Sequence, residues 1–456
     1  MAGNIIFIGN FIHADLLTEL KLRTGFLKVE DGKITQIGTL QEYESLVRDG
    51  AWSNFKINRL NEHQFLIPGF VDCHTHAPQF PNIGLGLDRP LLEWLKKYTF
   101  PLEKQYSDPK FASKVYDKVV KRLLTNGTTT ACYFGTLHFE GTLELVKSAI
   151  KHKQRALIGK VSMNIKNDAE YYNDTQTELA EVEKFVCKVL EYENDLVQPV
   201  ITPRFAVSCN QELMDGLSDI AMKYNCRTQS HISENQDEIE FVLQINPTCK
   251  SYTEVYDQSK ILNNKCIMAH AVHLSDHEMA LLANKGVSVA HCPASNTRLR
   301  SGLCPVRRII NNNITVGLGT DVSGGDNASI LDAIRRSMDV SMSLELQGTK
   351  DSSLNWKEAF YLATVGGAKA LNLDEKIGTF NIGKDFDALL IDIYADNSQI
   401  DYYESSTDPN SKEYLMELLE RFIHVGDDRN IVQELLDTQI QNIKPNSFTE
   451  IPMAKS

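Results

Sequence analysis

The sequence lacks features that mark three classes of protein. It has no excess of basic residues, since 47 Lys and Arg stand against 60 Asp and Glu for a net charge of -13, and this disfavours a nucleic-acid partner. Its nine cysteines form no CxxC pair, which is typical of reduced thiols in a cytoplasmic protein. No apolar stretch approaches the ~20 residues of a membrane span, and no basic leader is present, so we expect no membrane or targeting segment.

From residue 66 onward, apolar runs alternate with segments of helical composition. Eight such cycles predict an α/β fold, a closed (β/α)8 TIM barrel. The predicted strands end at His76, Phe134, Val161, Arg204, His231, His270, His291 and Asp321.

The two ends of the chain follow a different pattern. Alternating segments flank the turn Asp31-Gly32, which predicts a β-hairpin. Strand character returns near 386–392 and 431–440, so we expect the N- and C-terminal strands to share one sheet of a small β-sandwich domain. The predicted domains are 1–65 with 376–456 for this small domain, which includes an exposed polar loop at 396–412, and 66–375 for the barrel.

Residues at the predicted strand ends could bind one metal ion. His74 and His76 are two apart, and because residues i and i+2 of a strand face the same side, both imidazoles can reach one ion. His231 and Asp321 end other strands, and the strand ends of a barrel converge at its mouth. His270 would be a fifth ligand or would orient the attacking water. One such histidine alone would be a buried structural residue, but four ligands together predict a site for zinc, iron or another first-row metal.

Glu234 is the predicted general acid and base. It lies three residues past His231, where its carboxylate could carry a proton from the water to a substrate nitrogen. Asp321 could also accept a proton from that water. The alternative is structural, with Glu234 capping the next helix and Asp237 and Glu238 in its first turn.

Two further residues at the predicted mouth could recognise a substrate. Arg204 could donate to a carbonyl oxygen, and Gln79 could both donate and accept. An ion pair at the rim and a loop glutamine are the alternatives. The fourth predicted strand has no lysine to bridge two ions, and Lys160 belongs to the third, where we expect it to pack or pair within the barrel. The sequence therefore predicts a single ion.

Seven segments of the chain resemble the guanine deaminases, a branch of the amidohydrolase superfamily. The histidine pair with the later histidine and aspartate marks the superfamily, whereas Leu-Leu-Glu-Trp-Leu at 91–95 and Thr-Pro-Arg-Phe at 202–205 point to the guanine-specific branch. The resemblance covers almost the whole chain. The segments are 68–79, 91–101, 126–134, 202–205, 229–235, 291–293 and 317–322.

The resemblance implies a homodimer with one Zn2+ per subunit that hydrolyses guanine to xanthine and ammonia. Hydroxide would add to C2 while Glu234 protonates N3, and Arg204 would donate to O6, where adenine presents an amino group instead. The implied zinc ligands are His74, His76, His231 and Asp321, with His270 close by. The implied purine contacts are His76, Gln79, Arg204, Phe205, His231, Glu234 and Asp321.

Two alternatives stay open. One is another mononuclear deaminase or chlorohydrolase of the same barrel, acting on a pterin, a triazine or an adenosine-like compound. The other is a non-catalytic scaffold, which is disfavoured because such relatives lose metal ligands and this chain keeps them. The cytidine-deaminase class is excluded, because its paired His-x-Glu and Pro-Cys-x-x-Cys motifs do not occur together.

Overall fold

The computed structural model describes residues 4–48, 52, 54–401, 407–408, 411–436 and 439–441. These residues divide into two compact units. The first combines Met1–His13, Lys21–Gly69 and Phe380–Ser456, as far as these are described, and the second combines Ala14–Leu20 and Phe70–Thr379.

Strands occur in both units. In chain order they are β1 (Ile5–Leu16), β2 (Glu19–Glu30), β3 (Lys33–Gly38), β4 (Lys56–Arg59), β5 (Gln64–Pro68), β6 (Phe70–His76), β7 (Thr128–Phe134), β8 (Arg155–Gly159), β9 (Val161–Ser162), β10 (Val197–Pro203), β11 (Arg227–Ile232), β12 (Cys266–His270), β13 (Ser288–His291), β14 (Val316–Leu318), β15 (Asp387–Asp392), β16 (Ile431–Leu436) and β17 (Gln439–Gln441).

Helices alternate with the strands of the second unit. The α-helices are α1 (Leu40–Arg48), α2 (Leu91–Trp94), α3 (Phe100–Glu103), α4 (Pro109–Thr125), α5 (Phe139–Lys151), α6 (Thr175–Leu190), α7 (Gln211–Tyr224), α8 (Gln236–Ile245), α9 (Tyr252–Gln258), α10 (Asp276–Lys285), α11 (Pro293–Arg298), α12 (Val306–Asn311), α13 (Ile330–Leu346), α14 (Trp356–Tyr361), α15 (Gly367–Ala370) and α16 (Lys412–Val425). Two 3-10 segments span Ala77–Asn82 and Lys104–Ser107, and two π-helical segments span Leu95–Thr99 and Leu362–Gly366. None of the helices in the described ranges has both the length and the apolar surface to cross a membrane.

The second unit is a nearly closed barrel of parallel strands. Its order is β6, β7, β8, β10, β11, β12, β13 and β14, and the short strand β9 pairs with the last two residues of β10. The amide of Asp321, just past β14, donates to the carbonyl of His74 in β6 at 2.9 Å and so links the last strand to the first. The (β/α)8 barrel predicted from the sequence is confirmed.

The barrel strands form because they are buried on both faces. Every residue of β7 is buried, as expected for a parallel strand covered by helices outside and side chains inside. The helices begin and end at residues that favour those positions. In α10, Ser275 and Glu278 form a capping box, and Gly286 ends the helix with φ 70°. The barrel interior packs mainly Val71, Cys73, Cys132, Leu157, Val200, Ile267, Ala269, Ala290 and Cys292.

The first unit contains a separate sheet. Its order is β17, β16, β15, β5, β1, β2 and β3, with β4 paired to β1. The hairpin between β2 and β3 turns at Asp31, with φ 48°, and Gly32, with φ 78°, as two-residue hairpins of this type require. Because β15 pairs antiparallel with β5, strands from both ends of the chain share this sheet, as predicted. The predicted loop at 396–412 lies partly outside the described residues.

Candidate active site

Five possible cation ligands come together at the carboxyl ends of the barrel strands. His74 and His76 end β6, His231 lies near the end of β11, and His270 closes β12. Asp321 follows β14, three residues after its last strand residue. All five side chains are buried, and the most exposed residue, His231, is only 7% accessible. The barrel therefore gathers residues that lie up to 247 positions apart, from 74 to 321, into one buried cluster.

The possible ligand atoms of the cluster lie close enough together to hold a cation. Nε2 of His76 lies 3.0 Å from Nε2 of His231. One carboxylate oxygen of Asp321 lies 3.2 Å from Nε2 of His74 and 3.5 Å from Nε2 of His76. Its other oxygen lies 3.8 Å from Nε2 of His270. Two overlapping groups could each hold a cation: His74, His76 and His231, and His74, His270 and Asp321.

The hydrogen bonds of the histidines leave their inner nitrogens available. Nδ1 of His231 lies 2.5 Å from the carbonyl oxygen of Arg204, which can only accept, so this nitrogen carries the proton and Nε2 keeps a lone pair. Nδ1 of His270 bonds Oδ1 of Asn296 at 2.9 Å. Nε2 of His270 is buried and has no hydrogen-bond partner among the described residues. Orphaned, inward-facing nitrogens of this kind are what a bound cation would satisfy.

The electrostatics of the cluster also fit a cation. Burial lowers the pKa of His74, and it lowers the pKa values of His76 and His231 well below their ordinary range, so these rings are neutral near pH 7. Burial favours the protonated form of Asp321, but the neighbouring imidazoles of His74, His270 and His76, with His74 first among them, together outweigh it and hold the pKa of this carboxyl well below its usual range. Neutral imidazoles with one carboxylate are donors suited to Zn2+ or another first-row divalent cation.

Glu234 lies beside the cluster, with one carboxyl oxygen in a hydrogen bond and the other near His270. Ser301 donates its hydroxyl to Oε1 at 3.1 Å, and Oε2 lies 3.4 Å from Nε2 of His270. Burial, with a smaller contribution from the charge of Asp321, raises the pKa of Glu234 to about 8. A carboxyl with such a pKa can both hold and release a proton near neutral pH.

The helix cap predicted as an alternative for Glu234 is formed by its neighbours. Asn235 is the N-cap of α8, and Glu238 completes the capping box. Glu238 accepts hydrogen bonds from the amides of Glu234 and Asn235 at 3.0 and 3.2 Å. Because the cap is satisfied without it, the Glu234 side chain is free to face the cluster.

Arg204 and Gln79 meet at a carboxylate that the sequence analysis missed. Arg204 makes a two-pronged ion pair with Glu103, from Nη1 to Oε2 at 2.7 Å and from Nη2 to Oε1 at 3.0 Å. Gln79 donates from Nε2 to Oε1 of the same carboxylate at 3.1 Å. The ion pair considered for Arg204 is thus present, but it is buried, and Arg204 still lines the pocket. The ring of Phe205 packs across that of His231 with centroids 6.0 Å apart.

A pocket opens onto the cluster. It is lined by each residue predicted to bind substrate. One apolar wall comes from 91–95, the segment that resembles the guanine-specific branch. The lining residues are His76, Gln79, Leu91, Trp94, Leu95, Arg204, Phe205, His231, Glu234, His270, Leu299 and Asp321.

The sequence analysis also missed residues that support the site from behind. Asp72 accepts from Thr320, at 2.5 Å from the hydroxyl and 3.0 Å from the amide, and so ties β6 to the turn after β14. Burial raises the pKa of Asp72 to about 7. Its position two residues before His74 was a usable signal, since an acidic residue on a buried strand needs a partner. Ser301 and Asn296 come from the segment after β13 and had no such signal.

Lys160 lies away from the cation cluster. Its ammonium group pairs with the carboxylate of Glu178 at 3.0 Å, and both side chains are fully buried. Glu181 approaches the same ammonium group at 3.2 Å. Lys160 therefore pairs within the barrel, as predicted, and is not available to bridge two ions.

Comparisons with known proteins agree with this geometry. The model of the amidohydrolase family matches residues 65–435. The chain is 44% identical over 430 residues to a guanine deaminase of Rattus norvegicus, with 94% of each chain covered. It is 47% identical over 369 residues to a guanine deaminase of Dictyostelium discoideum, with 81% of this chain and 80% of that one covered.

A solved structure is similar throughout as well. The crystal structure of a guanine deaminase from C. acetobutylicum with bound guanine has a TM-score of 0.86 and 36% identity, and the match covers 96% of this chain and 100% of that one. The resemblance inferred from short segments therefore extends over nearly the whole length. By the family model and by these relatives, the chain belongs to the amidohydrolase family.

Proposed function

We propose that the protein is a guanine deaminase that hydrolyses guanine to xanthine and ammonia. The observation that carries the proposal is the combination, in one pocket, of a buried His/Asp cluster, a carboxyl with a raised pKa and a buried arginine. The chain is similar over 94% of its length to a guanine deaminase, which supports the same conclusion.

We assign the cation to His74, His76, His231 and Asp321, with one Zn2+ per subunit. The neutral rings and the single carboxylate support this assignment, and His270 is either a longer fifth ligand or the group that orients the attacking water. A zinc ion held there would supply Lewis acidity and activate a water molecule as the nucleophile.

We assign proton transfer to Glu234 and Asp321. Asp321 accepts a proton from the attacking water, and Glu234 delivers one to N3 of guanine as C2 becomes tetrahedral. The new C2 hydroxyl then gives its proton to the Glu234 carboxylate as the C2 carbonyl forms, and Glu234 passes this proton to the amino group, which leaves as ammonia when its bond to C2 breaks. The proton held by Asp321 returns to Glu234 and restores both groups for the next cycle. The pKa of Glu234, raised to about 8 by burial, suits a group that must be protonated and deprotonated in each cycle.

We assign recognition of the purine to Arg204, Gln79 and Phe205, with His76, His231, Glu234 and Asp321 closing the pocket around C2. Arg204 keeps N–H groups beyond the two that bind Glu103, and these donate to O6 of guanine. Adenine presents an amino group at that position, so two donors would face each other. A mismatch of this kind costs roughly 1 to 3 kcal/mol for each unsatisfied group.

We also propose the wider organisation of the protein. Residues 66–375 carry the whole catalytic apparatus, and 1–65 with 376–456 form the smaller β domain. The cytoplasm is the proposed compartment, because all nine cysteines lie in the described part of the chain and are free thiols. A homodimer is the proposed assembly, by resemblance to the guanine deaminases, and light scattering of the purified protein tests it.

The test of the function is a spectrophotometric assay of guanine with purified protein before and after chelation. We expect xanthine formation that is lost on chelation and restored by Zn2+. A panel of adenine, adenosine, a pterin and a triazine serves as the control for substrate class. Zinc-loaded protein that acts on one of these and not on guanine would contradict the proposal.

A further inference from the structure

Glu103 is a buried charged group that plays no part in the reaction steps proposed above. It ends the short helix α3, its side chain is fully buried, and it does not line the pocket. Its three side-chain hydrogen bonds within the described part of the chain come from Arg204 and Gln79, the two polar residues assigned to the purine, and the Tyr171 hydroxyl also lies near it. Of these neighbours, Arg204 and Gln79 line the pocket, so a carboxylate in this position acts on the substrate through them.

The guanidinium group of Arg204 is held from two sides by one helix. Glu103 accepts one hydrogen bond from each terminal nitrogen of the guanidinium group. The ring of Phe100 lies against the group, with 5.1 Å between Cζ of Arg204 and the ring centroid. Phe100 and Glu103 are the first and last residues of α3, three positions apart, and so share a helix face. This clamp fixes the plane of the guanidinium group and leaves its remaining N–H groups for a ligand.

The same carboxylate determines how the Gln79 amide is turned. A carboxylate only accepts, so the nitrogen of the amide must face Glu103 and the oxygen must face the other way. The amide of Ser323 lies 3.3 Å from that oxygen, which is consistent with this orientation. Glu103 therefore defines the donor and acceptor pattern of both residues.

We propose that Glu103 is a positioning residue for recognition of the 6-oxo group of a purine. It orients Arg204 and Gln79 before the substrate arrives and neutralises the buried arginine, so that the pocket presents directed donors without an unpaired charge. The proposal rests on the proposed function, because O6 of guanine is the group that Arg204 would meet. A purely structural ion pair would stabilise the barrel without affecting which purine binds.

Two unreactive ligands separate these roles in the zinc-loaded enzyme. Hypoxanthine carries the 6-oxo group but lacks the 2-amino group that leaves, and the unsubstituted parent compound, purine, lacks both groups. The inhibition constant of each is measured against guanine turnover. We expect Glu103→Gln to raise the inhibition constant of hypoxanthine roughly 10- to 100-fold, as for loss of well-directed hydrogen bonds to a charged group. The inhibition constant of purine should change less than about twofold. The KM for guanine should rise more than kcat falls.

Glu178→Gln is the matched control. Glu178 is also a fully buried carboxylate in an ion pair, with Lys160, and it lies outside the pocket. The same substitution there should lower the melting temperature and leave the inhibition constant of hypoxanthine unchanged. Glu103→Asp, which keeps the charge but draws it back, is the second test variant in case Glu103→Gln does not fold. Its inhibition constant for hypoxanthine should rise less than that of Glu103→Gln and more than that of the control.

The outcomes are distinct. Folded, zinc-loaded Glu103 variants that bind hypoxanthine as tightly as the control would overturn the role of Glu103 and leave the proposed function standing. Equal weakening of hypoxanthine binding and purine binding would also overturn the role of Glu103, because such a result would indicate general damage to the pocket. An unaltered protein that neither deaminates guanine nor binds hypoxanthine would overturn the proposed function, and the role of Glu103 with it.

Discussion

Replacing Glu234 with glutamine should remove the proton carrier while it changes the shape of the site very little. A glutamine oxygen can accept the same hydrogen bond from Ser301, which is 3.1 Å long, but an amide cannot hold and release a proton. A positioned acid or base contributes about 10²- to 10⁴-fold to rate, and Glu234 is assigned two transfers in each cycle. We therefore expect kcat for guanine to fall by about 10⁴, which is about 5 kcal/mol of activation free energy.

The assay combines guanine turnover with zinc content and affinity for hypoxanthine. Zinc content should stay near one per subunit, because Glu234 is outside the proposed ligand set, and hypoxanthine should bind within about threefold of the unaltered protein. Glu178→Gln, the same change at a buried carboxylate away from the pocket, controls for loss of stability. A Glu234→Gln enzyme within tenfold of the original rate would refute the assigned proton transfer.

Three further substitutions test other parts of the structure. Arg204→Ala should lower kcat/KM for guanine roughly 10- to 100-fold and leave zinc bound, and it should lower the melting temperature because Glu103 becomes an unpaired buried charge; an unchanged guanine rate would reject Arg204 as a purine contact. His231→Ala should bring zinc, measured by mass spectrometry, below one per subunit and abolish turnover, and full zinc retention would exclude His231 as a ligand. Burial raises the pKa of Glu434 to about 8 from 4.5, so the folded protein should lose stability as the pH rises between these values. Glu434→Gln should therefore raise the melting temperature near pH 9 and not near pH 4, and an equal shift at both would contradict the cause.

The barrel and its cation cluster were predictable because they follow from strand patterns. Parallel strands buried on both faces are continuous apolar runs, so a histidine that interrupts one is conspicuous. Four of the eight predicted strand ends agree with the structure to the residue: His76, Phe134, His270 and His291. Asp321 lies three residues past β14, and the strand pattern still placed it at the mouth, because the loop after a strand leaves from that end.

Glu103 was not predictable from a comparable rule. It lies between β6 and α4, in a stretch that contains two short α-helices, a π-helical segment and two 3-10 segments. Such a stretch has no sequence period that indicates which side is buried. The substrate contact and the ion pair considered for Arg204 were treated as alternatives from the sequence. The structure shows that the ion pair and a place in the pocket occur together, because a guanidinium group has more donors than one carboxylate can accept.

The segment around Glu234 shows how a local ambiguity is decided by the fold. Ser-Glu-Asn-Gln-Asp-Glu at 233–238 offers several groups that could cap α8, and a cap needs only one side-chain acceptor and its reciprocal partner. Asn235 and Glu238 fill both places, and Tyr252 donates its hydroxyl to the second oxygen of Glu238 at 2.7 Å. Glu238 also binds the amide of Glu234, so the same capping box that starts the helix fixes the backbone from which the proposed proton carrier projects. A helix start immediately after β11 therefore serves two purposes: it ends the strand at the barrel mouth, and it leaves one carboxyl group free of structural hydrogen bonds to α8.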